Sequence, residues 1–174
     1  PKREIPIVCA GQSPAGVAFT AQYGDHNFVM AGKSSLRRIT DALGEEASKH
    51  GRKVGTYALF TMIAAETDAE AHAQAQKIVD GADRTAIAGM LGSAALDPVT
   101  GGTSQRLLET LKTPLAEGNI VFLSFPALIG SYASVAQQIK TLEAETGIEG
   151  MLLTFPDFVG GVRDFGEKIK PLLN

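Results

Sequence analysis

The 174-residue chain is 44% hydrophobic and 20% charged, with a formal net charge of -3, which fits one globular domain with a sizeable core and excludes a disordered polymer. Charges of both signs are mixed along it, so there is no basic field to hold a phosphodiester backbone, and nucleic acid is not an expected partner. No run approaches the roughly 18 apolar residues of a membrane span and no charged-then-apolar leader opens the chain, so the expected setting is cytoplasmic.

Within a few residues of Pro1 the chain enters the apolar, β-rich run Ile5 to Cys9 with no cap or leading helix, which predicts a buried strand and a piece of a larger chain. The lone cysteine, Cys9, sits in this run, where a small buried side chain is the expectation. Gly11-Gln12-Ser13-Pro14-Ala15-Gly16 follows, and Val17, Ala18 and Ala21 continue at helical spacing. The unit repeats with a strand over 27–31 and a helix marked by Leu36, Ile39, Leu43 and Ala47 that Gly51 stops. A third strand, 56–64, is apolar on both faces, and Thr67-Asp68-Ala69-Glu70 has the spacing of a capping box opening the next helix.

Between about 81 and 126 the regularity fails: Asp97-Pro98-Val99-Thr100-Gly101-Gly102 is loop chemistry, followed by an apolar helix near Leu107, Leu108 and Leu111. This stretch is expected to be an insertion, of the kind that serves as a lid or binding loop. Tyr132, Val135, Ala136, Ile139 and Leu142 then form an amphipathic helix, 151–155 a fourth strand, and Val159, Val162, Phe165 and Ile169 a last helix that Pro171 ends. Strands apolar on both faces that alternate with helices mean a parallel sheet covered by helices, so the class is α/β. Part of an eight-stranded βα barrel and an open doubly wound sheet both satisfy that pattern.

The best local signal for chemistry is the Gly11-to-Gly16 turn, at a strand's carboxyl end and a helix start. Free backbone N–H groups and the positive end of the helix dipole meet there, which suits a phosphate, and the Ser13 hydroxyl adds a hydrogen bond. The same residues also make an ordinary N-cap, since Ser is favoured there and Pro at the first helical position. The turn is neither the dinucleotide fingerprint nor a Gly-Lys-Ser/Thr phosphate loop. Asp157, at the end of the last strand, is the only carboxylate there and reads as an acid opposing a helix dipole. His26 in a loop, His50 at a helix end and His72 in a helix have no second ligand at metal spacing, so no metal site is expected. Ser13, Ser34 and Ser131 sit at helix starts rather than in a nucleophile elbow, and Glu45, Glu46, Glu143 and Glu145 lie on solvated helix faces.

Ile5 to Ser13, Gly16 to Tyr23, Gly130-Ser131-Tyr132-Ala133-Ser134-Val135-Ala136 and Gly150 to Phe155 with Asp157-Phe158 resemble, in order, the luciferase-like flavin-dependent monooxygenases, and among them the group that oxidises pyrimidines. The resemblance implies the second, C-terminal half of a (β/α)8 TIM-type barrel, with the four strands as the last four of eight and the insertion before the last strand. It also implies FMN in its reduced form, O2, a separate flavin reductase that draws on NAD(P)H, and opening of a uracil-type ring. Ser13 is the one cofactor contact it carries over, at the FMN phosphate. The family's other flavin contacts lie in a first half that this chain does not match, and catalytic residues stay unassigned. Where the pyrimidine group carries two acids at the last strand end, this chain has Pro156-Asp157, which leaves open related substrates such as sulfones, alkanesulfonates and chlorinated aromatics. The competing reading is a stand-alone half-barrel, a binding or structural module without catalysis. On either reading the chain is expected to associate with its own copies or with the missing N-terminal half.

Overall fold

A computed structural model describes residues 5–96, 104 and 126–174. The elements are β1 (Val8–Ala10), α1 (Pro14–Tyr23), β2 (His26–Val29), α2 (Lys33–Ser48), β3 (Gly55–Ala65), α3 (Asp68–Asp80), α4 (Arg84–Ala95), β4 (Ala127–Ser131), α5 (Tyr132–Thr146), β5 (Gly150–Thr154) and α6 (Phe158–Asp164). A π turn (Phe165–Ile169) and a 3-10 turn (Lys170–Leu172) carry the chain on from α6. Every strand pair with a resolved register is parallel, as strands joined through helices require. Two compact units divide the chain, Pro1–Leu59 with Leu142–Leu152, and Phe60–Thr141 with Leu153–Asn174.

In the first unit β1 pairs with β2 from Val8↔His26 to Ala10↔Phe28, and β2 pairs with β3 from His26↔Gly55 to Val29↔Ala58. α2 forms because Leu36, Ile39, Leu43 and Ala47 recur on one stripe, all buried, while Lys33, Arg37, Arg38, Asp41 and Glu45 face solvent. Leu43 and Ala47 pack with Ala21 and Val54 into one apolar cluster, with Val17 against it. Gly51, at φ 65°, turns the chain out of the helix. The N–H of Glu149 donates to Thr56 C=O at 2.9 Å, which brings the start of β5 to β3.

In the second unit the later part of β3 pairs with β4, from Thr61↔Ala127 to Ala65↔Ser131. Ile63, Ala75 and Ala127 are buried together, with Ile78 and Ile129 against them, so α3 covers this part of the sheet. The predicted capping box is present: Thr67 Oγ1 accepts from the Glu70 N–H at 3.2 Å and Glu70 Oε2 accepts from the Thr67 N–H at 3.0 Å.

Several expectations are corrected. The first strand is Val8–Ala10 rather than Ile5 to Cys9, and it is not buried: Ile5, Ile7 and Val8 are exposed and Cys9 is half-buried. Among the described residues β1 has a neighbour on one side only, so an apolar run here marks an edge, not an interior. β5 is likewise only partly covered. A fifth strand, β4, was not expected: the pattern gave four strands, with the insertion ending at about 126 and Ser131 at a helix start, whereas Ala127–Ser131 is a strand with Ser131 as its last residue. Within the expected irregular stretch, Arg84–Ala95 is a helix capped by Asp83 Oδ1, which accepts from the Ala86 N–H. Asp97 to Gly102, Leu107, Leu108 and Leu111 lie outside the described residues. The stripe of the last helix is only partly interior: Ile169 is buried, but Val159 and Val162 are exposed.

Candidate functional site

At the carboxyl end of β1 the chain turns through Gly11 and Gln12 into Ser13, whose extended backbone (φ -72°, ψ 158°) makes it the N-cap of α1. The N–H of Gly16 donates to Ser13 Oγ at 3.2 Å, and that of Val17 to the Ser13 carbonyl at 2.9 Å. Gly11 and Gly16 meet backbone to backbone: a Cβ on Gly16 would lie 3.0 Å from Gly11 Cα and 3.3 Å from Ser13 Oγ. The side-chain amide of Gln12 donates to the Met30 carbonyl at 3.4 Å, which ties this loop to the end of β2.

Pro14 has no N–H, so the donors of this first turn without a partner among the described residues are the Ala15 N–H and the Ser13 hydroxyl hydrogen. Ser13 is half-buried and the first turn of α1 carries no acid. The helix dipole and two free donors therefore face the same small region, the arrangement that holds a phosphate or carboxylate. α2 adds a feature that sequence reasoning missed. It opens on Gly32, with no side-chain capping bond and no acid in its first turn. A glycine cap followed by lysine was the available signal; pairing of β1 with β2, which puts the two strand ends side by side, was not readable from spacing.

The other helix starts are filled from within. Asp157 is the N-cap of α6 and accepts from the Gly160 N–H at 3.1 Å, so it caps a helix, as its position implied. Ser131 Oγ accepts from the Ser134 N–H at 3.2 Å at the start of α5, and there the Asp68 carboxylate accepts from the Ser131 N–H at 2.6 Å. The Ser131 N–H, then the Ser134 and Ser131 hydroxyls, hold the Asp68 carboxyl below its ordinary range. Gly130, at φ 155°, leaves room for this contact, since a Cβ there would lie 3.0 Å from Asp68 Oδ1.

His26 is not in a loop but is the first residue of β2. Its ring stacks on Tyr57 at 4.3 Å and 16°, and Glu149 Oε2 lies 3.8 Å from its Nδ1. The Tyr57 hydroxyl is 3.3 Å from Nε2, but nearly parallel rings place that contact across the stack rather than along the nitrogen lone pair, so it is no proton relay. A cavity of about 530 Å³ lined by Val8, Phe28, Tyr57, Glu149 and Met151 adjoins this group, at the amino ends of the strands. In α/β barrels that end belongs to stability. His50 and His72 are exposed. In the second unit Lys168 Nζ donates to the Tyr132 hydroxyl at 3.0 Å and to Glu66 Oε1 at 2.9 Å; these two bonds, in that order, raise its pKa. The Tyr132 hydroxyl donates to Asp164 Oδ2 at 3.1 Å, so every polar group of this cluster is engaged within the chain. No group of three His, Cys, Asp or Glu that could hold a metal occurs among the described residues.

The family model described as luciferase-like monooxygenase matches residues 1–150. The chain belongs to the luciferase-like monooxygenases. It is similar to the pyrimidine monooxygenase RutA of Acinetobacter baylyi, at 42% identity over 99% of this chain and 47% of that protein. Among solved structures it is similar to the EDTA monooxygenase of Chelativorans (TM-score 0.76, 19% identity, 95% of this chain and 43% of that one). It also resembles a riboflavin lyase solved with modified FMN and riboflavin (TM-score 0.73, 21% identity, 95% and 42%). This luciferase-like chain therefore spans about half the length of the curated relatives it matches, and its α/β fold corresponds to part of the barrel of these enzymes. That resolves the choice that periodicity left open, in favour of a barrel over an open sheet.

Proposed function

We propose that this chain supplies the phosphate-binding part of an FMN-dependent monooxygenase that uses reduced flavin and O2 on a small heterocycle, with opening of a pyrimidine ring of the uracil type as its reaction. The observation that carries the reading is the mouth of α1, which has a dipole, two donors without a partner among the described residues and no carboxylate in its own first turn. FMN fits there: its phosphate matches the free Ser13 hydroxyl and Ala15 N–H, and the missing side chains of Gly11 and Gly16 keep the approach narrow and clear. The backbone N–H groups opening α2 lie at the end of the adjacent strand and add donors. When bound, FMN would supply the oxygen-activating chemistry, and what this chain's own residues do is hold and orient its phosphate end. Reduced flavin comes from a separate reductase that oxidises NAD(P)H. The pyrimidine substrate rests on the similarity to RutA.

The test is a pair of titrations, FMN against riboflavin, on the wild type and Ser13→Ala. A charge-assisted hydrogen bond of about 1.5 to 3 kcal/mol predicts that the substitution weakens FMN about ten- to a hundredfold and leaves riboflavin unchanged. Equal losses for both flavins would sink the phosphate role.

A further inference from the structure

We infer that Gln12 is a positioning residue for the mouth of α1: through its hydrogen bond to the Met30 carbonyl it holds the Ser13 hydroxyl and the Ala15 N–H beside the start of α2. The inference rests on the phosphate reading above and adds to it the residue that fixes where the donors stand.

The register of the first two strands shows how. β1 pairs with β2 at one constant offset, Val8↔His26, Cys9↔Asn27 and Ala10↔Phe28. Carried two residues further, the same register sets Gln12 opposite Met30. The backbone is leaving the sheet by then, since Ser13 already caps α1. It is the half-buried Gln12 side chain that reaches across, with Nε2 donating to the Met30 carbonyl at 3.4 Å. At the other end of the ladder, and at the same offset, the Asp25 carboxylate accepts from the Ile7 N–H at 2.7 Å. A side chain thus seals each end of the β1–β2 pair.

A backbone bond at the carboxyl end would have kept residue 12 in the strand and delayed the helix. A side-chain bond instead holds the residue against β2 while the main chain turns at once into the cap. Gly11 and Gly16 permit a turn this tight, because a Cβ on Gly16 would lie 3.0 Å from Gly11 Cα. Met30 stands two residues before Gly32, the N-cap of α2, and α1 and α2 pack through Ala21, Leu43 and Ala47. Tying Gln12 to Met30 therefore sets the lateral spacing of two helix starts whose N–H groups would face one anion. Such a site works when its donors are held to within about 0.5 Å, and a residue next in sequence to the cap and tied to the neighbouring strand supplies that restraint. A neutral amide suits the place, since an acid there would repel both the carbonyl and the anion.

The experiment titrates the chain with FMN and with riboflavin, which lacks only the phosphate, for the wild type, Ser13→Ala, Gln12→Met and Gln12→Asn. Methionine keeps the length without the donor, and asparagine keeps the amide one methylene short of Met30. Both Gln12 variants should bind FMN about two- to tenfold more weakly, the worth of one hydrogen bond, with riboflavin affinity, circular dichroism and Tm as in the wild type. Wild-type FMN affinity in either Gln12 variant, while Ser13→Ala loses its preference for FMN, would overturn the positioning role and leave the phosphate reading standing. A parallel loss of FMN affinity, riboflavin affinity and Tm would overturn it too, being the mark of a residue needed only for the fold. If Ser13→Ala keeps the full preference for FMN over riboflavin, or the wild type has none, the phosphate reading falls and this inference with it.

Discussion

The mouths of α1 and α5 start from similar chemistry and end in opposite states. Each follows a strand's carboxyl end, and each is capped by a serine whose Oγ accepts a backbone N–H three residues on. At α5 a carboxylate from α3, Asp68, reaches the Ser131 N–H, so the positive end of the helix is answered within the chain. At α1 the first turn has no acid of its own and none among the described residues is hydrogen-bonded to it, and Pro14, Gly11 and Gly16 carry no bulky side chain there. The same capping residue thus belongs to a self-contained joint in one place and to a candidate ligand site in the other. What separates them is a single charge delivered by the tertiary fold.

The strongest way to break this comparison is Gly130→Ala at the closed mouth. The alanine must hold a φ of 155° and place its Cβ 2.9 Å from that of Ser134, so a loss of about 2 to 3 kcal/mol is expected. For a chain of this size that lowers Tm by about 5 to 10 °C, read by calorimetry, with FMN affinity at 25 °C unchanged. Ser13→Ala should act the other way round, with about 1 kcal/mol of stability lost with the cap alongside the FMN-specific loss described above. Denaturant titration separates the two effects.

Ala15→Glu gives the open mouth the charge that the closed one has. A carboxylate in the first turn favours the helix by about 0.3 to 1 kcal/mol, so stability rises while the preference for FMN over riboflavin disappears. A mouth that serves only as a helix start would show the first effect without the second. The smallest effect is confined to acid. Because the folded Asp68 carboxyl titrates below its unfolded value, its contribution is present above the ordinary carboxylate range near about 3.9 and is lost as pH falls through the lower folded value. In Asp68→Asn that part of the acid-side slope should be missing from melts run between about pH 5 and 2, while the melting curves above pH 5 keep the wild-type dependence on pH.

Much of the fold was legible in local pattern. The stripe Leu36, Ile39, Leu43, Ala47 announced α2, the Thr67–Glu70 spacing announced the capping box, and Ser13-Pro14 announced the start of α1. Each is a short-range preference that the backbone states within a few residues. Three features failed in instructive ways. β4 was hidden because its five residues pair with a partner more than sixty positions away. The Ile5-to-Cys9 run was taken as interior because hydropathy records what a residue prefers, not whether a neighbouring layer is present. His26 was placed in a loop because its stacking partner, Tyr57 in β3, and its facing carboxylate, Glu149 just before β5, come from distant parts of the chain.

The sequence by itself determined the parallel α/β class, the helix starts and the one serine worth testing, since these follow from periodicity and from hydrogen bonds closed within a turn. Only the tertiary structure decided which helix start is answered by Asp68, and which apolar run has a strand neighbour on one side only among the described residues. Those outcomes depend on groups brought together from distant parts of the chain, and electrostatic attraction and burial act on distance in space rather than on separation along the backbone.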